Sequence, residues 1–183
     1  MWVPSEDEIR ALHERHAPDR AMFDLVWTHC TIVWQVARQL LERTDAQPDL
    51  VRAGCLVHDI GVYRLREGEH YIRHGLLGHE LLREEGLPEV LCRFCSCHTG
   101  VGITLDDVAR QGLPIPPGDY VAVSEEERLV MYADKFHSKS SPPRFVTAEE
   151  YRGGVARFGA DKVALFDAML ARYGEPDLTA IRP

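Results

Sequence analysis

Histidine is the residue type in this chain with the greatest capacity for chemistry, because imidazole nitrogens bind transition metals and exchange protons near neutral pH. Three of the nine histidines, His29, His58 and His74, occupy helical patterns whose spacing predicts an inward-facing side chain. His98 follows another helical pattern directly. Any one of them alone is more simply explained as a surface or packed histidine. Burying several without partners would cost about 1–3 kcal/mol each, and a metal ion is one good partner.

Two aspartates accompany these histidines. Asp59 adjoins His58, and Asp134 lies in the mostly apolar helical segment LVMYADKF. A lone charge in such a segment is costly, so a carboxylate there is normally paired or bound to a metal. Several inward-facing imidazoles and two carboxylates on different helices are the components of a metal site in the core of a helical bundle.

The order of these residues resembles the HD-domain (HDIG-type) superfamily of metal-dependent phosphohydrolases. His29 comes first, and the segments HDIG, HGLLG, CHTG and YADK then supply the other five, from His58 to Asp134. The resemblance covers about residues 24–139. Within the superfamily the chain is most similar to binuclear members, including bacterial enzymes that hydrolyse dinucleoside polyphosphates, because HGLLG and HTG supply two further histidines.

The resemblance implies two divalent transition-metal ions, Fe, Mn, Co or Ni, with one ligand set for each. The first ion would be held by His29, His58, Asp59 and Asp134, and the second by His74 and His98, with Asp59 as the bridge. A metal-activated hydroxide would attack phosphorus in a nucleotide or another small phosphate ester or anhydride. Asp59 and Lys135 are the predicted catalytic residues.

Basic residues near these motifs are candidates for binding the substrate's phosphate. Many relatives carry a lysine shortly after the His-Asp pair, whereas here Val62-Tyr63 follow the glycine, so Arg64 is predicted to substitute. Lys135 is the stronger candidate because it follows Asp134 directly. Other basic residues lie close to the ligand segments in sequence: Arg73, His137 and Lys139. His13, His16, His70 and His79 are assigned to the surface or to packing.

Three alternatives remain open at this point. Some HD-fold relatives use the same six ligands to hold two irons and activate oxygen, so a diiron oxygenase is one. A non-catalytic nucleotide-binding module is another. Cys92, Cys95 and Cys97 precede His98 and contain a CxxC pattern, but a structural zinc site needs a second ligand pair, and we favour buried thiols.

The elements that must position these residues are helices, and no alternating pattern is long enough to indicate a sheet. We therefore predict an all-α fold, an HD-domain helical bundle. The predicted helices span about residues 5–18, 20–42, 48–61, 71–85, 88–97, 124–138 and 147–174. Gly61 is predicted to end the third in a left-handed conformation, and Gly153-Gly154 to kink the last. Residues 100–124 read as a long loop, with one helical turn near 105–110, that could form a lid or pocket wall.

Length and composition agree with a single HD-type domain over residues 1–183, with its metal-site core at about 20–140 and a C-terminal helical cover at about 147–174. The net charge of −8 argues against a nucleic-acid polymer as partner. The longest apolar run, Leu129 to Ala133, is too short to span a membrane. With five cysteines and no export signal, we expect reduced thiols and a cytoplasmic location.

Overall fold

Helices form the frame of the protein, which confirms the predicted all-α class. The computed structural model describes residues 2–182. Its α-helices are α1 (Glu6–His16), α2 (Arg20–Leu40), α3 (Pro48–Val57), α4 (His74–Glu84), α5 (Glu89–Cys97), α6 (Leu105–Gln111), α7 (Glu125–Asp134), α8 (Ala148–Val155) and α9 (Ala160–Tyr173). Short 3-10 turns occupy Leu41–Arg43, Ile60–Arg64, Tyr71–Arg73, Ala156–Phe158 and Leu178–Ala180. No helix within residues 2–182 is long and apolar enough to cross a bilayer.

The long helix α2 is the centre of the core. In its predicted stripe, Val26, His29, Val33, Val36 and Leu40 are buried, whereas Met22 is only partly buried. Helices α3 and α7 pack on α2, and α4 packs on α5. The ends of α3, α5 and α7 and the start of α4 meet beside the middle of α2, where the polar member of the stripe, His29, lies.

A short antiparallel ribbon interrupts the helices, contrary to the prediction of no sheet. Strand β1 (His137–Ser138) pairs with β2 (Arg144–Phe145) in the register His137 opposite Phe145. The predicted helix over 124–138 was too long for this reason: α7 ends at Asp134. A strand pair of two residues on each side is too short to leave a period-two pattern in the sequence.

The chain leaves α3 earlier than predicted, and Gly61 has a different role. Helix α3 ends at Val57, and Gly61 lies in the following 3-10 turn without a positive φ angle. A Cβ atom at Gly61 would lie 2.0 Å from the His74 carbonyl oxygen and 2.2 Å from the Gly78 nitrogen. The glycine is therefore explained by the close approach of α4, which brings His74 towards His58 and Asp59.

The C-terminal helices are divided at Gly159 rather than at the predicted Gly153-Gly154. Gly159 has a φ of 133°, which favours glycine, while Gly153 and Gly154 lie inside α8. The loop at 100–124 contains α6 as predicted. It is fixed to α9 by the buried Lys162, which contacts Asp107 and donates to the Gly102 carbonyl oxygen at 3.0 Å.

Candidate metal centre

The structure brings the six predicted ligands together from five parts of the chain. His29 lies in the middle of α2, His58 and Asp59 follow α3, His74 begins α4, His98 follows α5, and Asp134 ends α7. The imidazoles and Asp59 are buried, and Asp134 is partly so. Five of the six side chains lie at or next to helix ends. Several helix ends can approach one point more closely than the middles of several continuous helices can.

Asp59 lies between two groups of imidazoles. Its Oδ2 atom is 3.2 Å from His29 Nε2 and 3.6 Å from His58 Nε2. Its Oδ1 atom is 3.2 Å from His74 Nε2 and 3.6 Å from His98 Nε2. One carboxylate thus presents a different oxygen to each group, which is the geometry expected of a ligand shared by two cations.

The second carboxylate serves one of these groups. Asp134 Oδ1 lies 3.0 Å from His29 Nε2 and 3.5 Å from His58 Nε2. The first group therefore combines two imidazoles and two carboxylates, and the second combines two imidazoles with Asp59. This division matches the two ligand sets that the resemblance implies.

Hydrogen bonds fix which imidazole nitrogens face the centre. In the second group, His74 Nδ1 donates to the Tyr71 carbonyl oxygen at 2.6 Å, and His98 Nδ1 donates to that of Phe94 at 3.0 Å. When both rings are neutral, each Nε2 therefore presents a lone pair, and these two nitrogens are 2.9 Å apart. Two facing lone pairs repel each other unless a proton or a metal cation lies beside them.

The donor set fits a metal ion on a further observation. Asp59 Oδ1 is buried and accepts no hydrogen bond from the described residues, although two imidazole nitrogens are near it. Leaving a buried carboxylate oxygen unsatisfied is costly. Three trios of side chains have potential ligand atoms within 4.8 Å of one another: His29, His58 and Asp59; His58, His98 and Asp134; and Asp59, His74 and His98. Mixed imidazole and carboxylate ligation suits divalent transition metals.

The electrostatics keep most of these groups in the form that binds cations. Burial lowers the pKa of His29 to about 4 and holds the pKa of His98 well below its usual range. Burial alone would raise the pKa of Asp59, but the Lys139 ammonium and the imidazoles lower it further than burial raises it. For His58, burial lowers the pKa, but the Asp59 and Asp134 carboxylates together with Cys30 outweigh burial and raise it. A cation must therefore displace a proton from its Nε2 atom.

A cavity of about 850 Å³ opens on the centre and is the right size for a small-molecule site. Asp59, His74, His98 and Asp134 line its floor. The walls come from the Tyr71–Arg73 turn, the ribbon and α8 with the turn after it. The predicted wall at 100–124 contributes only Gly100, because the rest packs elsewhere. The C-terminal stretch, predicted to be core cover, places Phe166 and Tyr173 in the core, and its α8 part also supplies much of the wall.

The predicted phosphate-binding residues differ in position. Arg64 lies outside the cavity and forms an ion pair with Glu84 at 2.6 Å, so its predicted contact with substrate is not supported by its position. Lys135 lines the cavity, but its Nζ atom is held 2.7 Å from Asp134 Oδ2 and 2.9 Å from the His98 carbonyl oxygen. Lys135 therefore contacts the side chain of one predicted ligand, Asp134, and the backbone of another, His98.

Two further residues at the site, Lys139 and His137, were among the sequence's candidates for contact with phosphate only because they are near ligand segments. Lys139 lies in the turn of the ribbon, lines the cavity and contacts Asp59 Oδ2. The Asp59 carboxylate raises the pKa of Lys139 against the effect of burial, so the amine stays charged. His137 lies in β1 with its Nδ1 atom 2.8 Å from His29 Nδ1. The signal for both was the basic pattern HSK shortly after YADK.

The remaining histidines and the cysteines lie outside the cluster of six. His70, assigned to the surface or to packing, lines the cavity, and its Nδ1 atom accepts from the Ile72 backbone N–H at 3.2 Å. His13 is buried between Tyr63 and the Leu56 carbonyl oxygen, at 2.8 and 2.7 Å. His16 pairs with Glu85, and His79 pairs with Ser96 and Glu89. The five cysteines are buried free thiols, and the metal-competent trios within the described part of the chain contain none of them.

The sequence profile of the HD domain matches residues 26–139, which include all six clustered residues as well as Lys135 and Lys139. This match covers more than half of the chain. The protein therefore belongs to the HD domain family.

Curated relatives match over part of their length. The chain is 32% identical over 137 residues to a tRNA (cytidine(56)-2'-O)-methyltransferase of Picrophilus torridus, covering 75% of this chain and 37% of that protein. It is 39% identical over 111 residues to an uncharacterized protein of Methanocaldococcus jannaschii, covering 58% of this chain and 62% of that protein. The chain thus spans less than two thirds of these relatives, and the methyltransferase name describes the longer protein.

Solved structures share the fold. The HD domain of the L. monocytogenes phosphodiesterase PgpH superposes with a TM-score of 0.51 at 16% identity, covering 89% of this chain and 95% of that domain. The same domain in complex with cyclic-di-AMP gives 0.53 at 14% identity, covering 90% and 94%. At this identity the likeness establishes a common fold.

Proposed function

We propose that this HD domain is a metal-dependent phosphohydrolase that acts on a nucleotide or another small phosphate ester or anhydride. The observation that carries the proposal is the geometry of Asp59, whose two oxygens face two separate pairs of imidazoles. His29, His58, Asp59 and Asp134 would hold one cation, and His74 and His98 a second, shared through Asp59. When bound, two such ions stabilise charge on a phosphoryl group and lower the pKa of water.

The protein's own residues would bind and orient the substrate. Lys139 is charged, lines the cavity and lies beside Asp59, so it is the residue we propose for contact with a phosphate oxygen in place of Arg64. Arg144 and Arg157 line the outer wall and can attract further negative charge. Lys135 would act by holding Asp134 in position, since its ammonium is engaged there.

The size of the cavity agrees with a substrate larger than inorganic phosphate. Tyr71 and Phe158 line it and are 50% and 39% exposed, so an aromatic group of a ligand could stack on either. The fold neighbour PgpH was crystallised with cyclic-di-AMP, which makes cyclic and linear dinucleotides reasonable members of a substrate panel.

The test combines metal analysis with a hydrolysis assay. Protein purified without chelator, and its His58→Ala and Asp59→Ala variants, are assayed for bound metal and for products from nucleotides, dinucleotides and a generic phosphodiester. Both variants should lose metal and hydrolysis. The control is His16→Ala, because His16 is the last residue of α1 and pairs with Glu85; this variant should retain both. Full activity in either site variant would overturn the proposal.

The same preparation separates the alternatives left open by the sequence. Oxygen consumption by the iron-loaded protein on an organic substrate, without phosphate release, would favour a diiron oxygenase. Tight nucleotide binding without turnover in the metal-loaded protein would favour a binding module.

A further inference from the structure

The orientation of a ligating imidazole depends on what its second nitrogen contacts. For three of the four central histidines the contact is a backbone carbonyl oxygen: Cys55 for His58 at 2.7 Å, Tyr71 for His74 at 2.6 Å and Phe94 for His98 at 3.0 Å. In each case Nδ1 donates, because a carbonyl oxygen can only accept. Their Nε2 atoms consequently face the centre with a lone pair.

The position of these histidines at helix ends makes the backbone contacts possible. His58 and His98 directly follow α3 and α5, and the carbonyl groups of the last helical turn lack partners within the helix. His29 is in a different position, because it lies in the middle of α2. The carbonyl groups one turn before it accept the hydrogen bonds of the helix itself, so a partner must come from elsewhere.

That partner is His137 of β1. The Nδ1 atoms of His29 and His137 are 2.8 Å apart, and the two rings stack with their centroids 5.1 Å apart. Between two nitrogens at this distance, one donates and the other accepts. If His29 uses Nε2 as a ligand, its Nδ1 carries the proton and donates a hydrogen bond to His137 Nδ1. The proton of the neutral His137 ring then lies on its own Nε2 atom.

We propose that His137 is a positioning residue that orients His29 for metal binding, an inference that rests on the proposed function. His137 gives His29 the hydrogen-bond acceptor that a backbone carbonyl oxygen gives each of the other three histidines. The ribbon holds His137 in place: His137 pairs in register with Phe145, whose ring lies 5.5 Å from its own, and it is only 9% exposed. The short strand pair in a helical protein thus supplies the hydrogen-bond acceptor that α2 lacks.

Two variants of similar size separate hydrogen bonding from packing. His137→Asn keeps an acceptor oxygen near the place of Nδ1, and His137→Leu fills space without one. Cobalt(II) affinity and stoichiometry are measured by chelator competition, with the visible absorption of bound cobalt as a second readout of ligand geometry. Thermal unfolding in chelator shows whether both variants fold equally well.

We expect His137→Leu to lower the affinity for one of two cobalt ions by about 10- to 100-fold, because loss of such a partner typically costs this much affinity. The absorption spectrum of that ion should also change. The other ion should be held as before, and His137→Asn should lie within a few-fold of the parent protein. Equal cobalt affinities for the Leu variant and the parent, or for the Leu and Asn variants, would overturn the inference. A parent protein that binds no cobalt would instead overturn the proposed function, and this inference with it.

Discussion

His29 Nε2 and Asp134 Oδ1 lie 3.0 Å apart although 105 residues separate them in the sequence. This contact joins the middle of α2 to the last residue of α7. Both side chains belong to the group around Asp59 Oδ2, while His74 and His98 face Oδ1. Asp59 is the carboxylate that faces both groups, while His58, His98 and Asp134 form a further trio that spans them. Variants of single residues can therefore test which side chains hold each ion.

Metal stoichiometry should therefore respond differently to different ligands. His74→Ala removes a ligand from one group only, so we expect about one ion per chain to remain. Asp59→Ala removes the carboxylate that both groups share, so almost no bound metal should remain. Elemental analysis after equilibrium dialysis against manganese or cobalt measures both. Loss of the same amount of metal in the two variants would argue against two groups bridged by Asp59.

The two lysines of the centre should have different functions. Lys139→Met removes a charge from the cavity, and we expect kcat/KM to fall about 10- to 100-fold with metal retained, since a hydrogen bond to a charged group is worth about 1.5–3 kcal/mol. Lys135→Met leaves Asp134 without its ammonium partner at 2.7 Å and should lower metal affinity. Steady-state kinetics and metal titration on both variants test this, and the reverse pattern would exchange the two roles.

Helix α8 should limit the size of the substrate. Gly154 lines the cavity, and a Cβ atom there would meet no atom within 4 Å. A larger side chain would therefore fit without disturbing the protein, but it would occupy part of the space available to the substrate. We expect Gly154→Leu to lower kcat/KM at least about tenfold for dinucleotide substrates while metal content is unchanged. Gly153→Leu, one residue earlier, outside the cavity lining and equally free of contacts, is the matched control. Equal activities of the two variants would contradict this function of α8.

Gly61 should be intolerant of a side chain. Its Cβ position lies 2.0 Å from the His74 carbonyl oxygen, so Gly61→Ala must push α4 away. We expect the free energy of unfolding to fall by about 1–3 kcal/mol and metal affinity at His74 to decrease. Gly153→Ala should be neutral or slightly stabilising, because glycine inside a helix costs about 0.5–1 kcal/mol relative to alanine. Urea denaturation of the metal-free proteins gives both values, and unchanged stability of Gly61→Ala would contradict the packing argument.

His13 should make stability depend on pH. Burial lowers its pKa from 6.5 to about 4 against the opposing hydrogen bond to the Leu56 carbonyl oxygen. Between these values the unfolded chain binds more protons than the folded one, so stability falls as the pH drops from 6.5 to about 4. The shift corresponds to about 3 kcal/mol.

His13→Gln should lose this part of the pH dependence. Urea denaturation at pH 7 and pH 4, in chelator so that metal binding does not contribute, compares the variant with the parent. The variant's decrease in stability should be smaller by about 3 kcal/mol. An identical decrease in both proteins would show that His13 titrates normally in the folded state.

Much of the fold was predictable because it depends on local patterns. The all-α class followed from helical spacing, and α1 and α7 begin at the capping boxes of Ser5 and Ser124, which are local features of the sequence. Gly86, with a φ of 78°, follows α4 as its position after the helical pattern predicts. The ribbon and the break at Gly159 were missed, because they depend on pairing and packing between segments rather than on nearest neighbours.

The candidate site divides in the same way. The sequence alone singled out six side chains suited to hold metal ions, from residue type, from the inward helical spacing of some of them and from the resemblance to the HD-domain superfamily. Their role as ligands stays a prediction. Only the tertiary structure decided that Lys139 and His137 lie at the centre, that Lys135 is held by Asp134, and that Arg64 is occupied by Glu84. The physical reason is that a charged or hydrogen-bonding side chain takes its function from its partners, which here come from segments up to 108 residues apart.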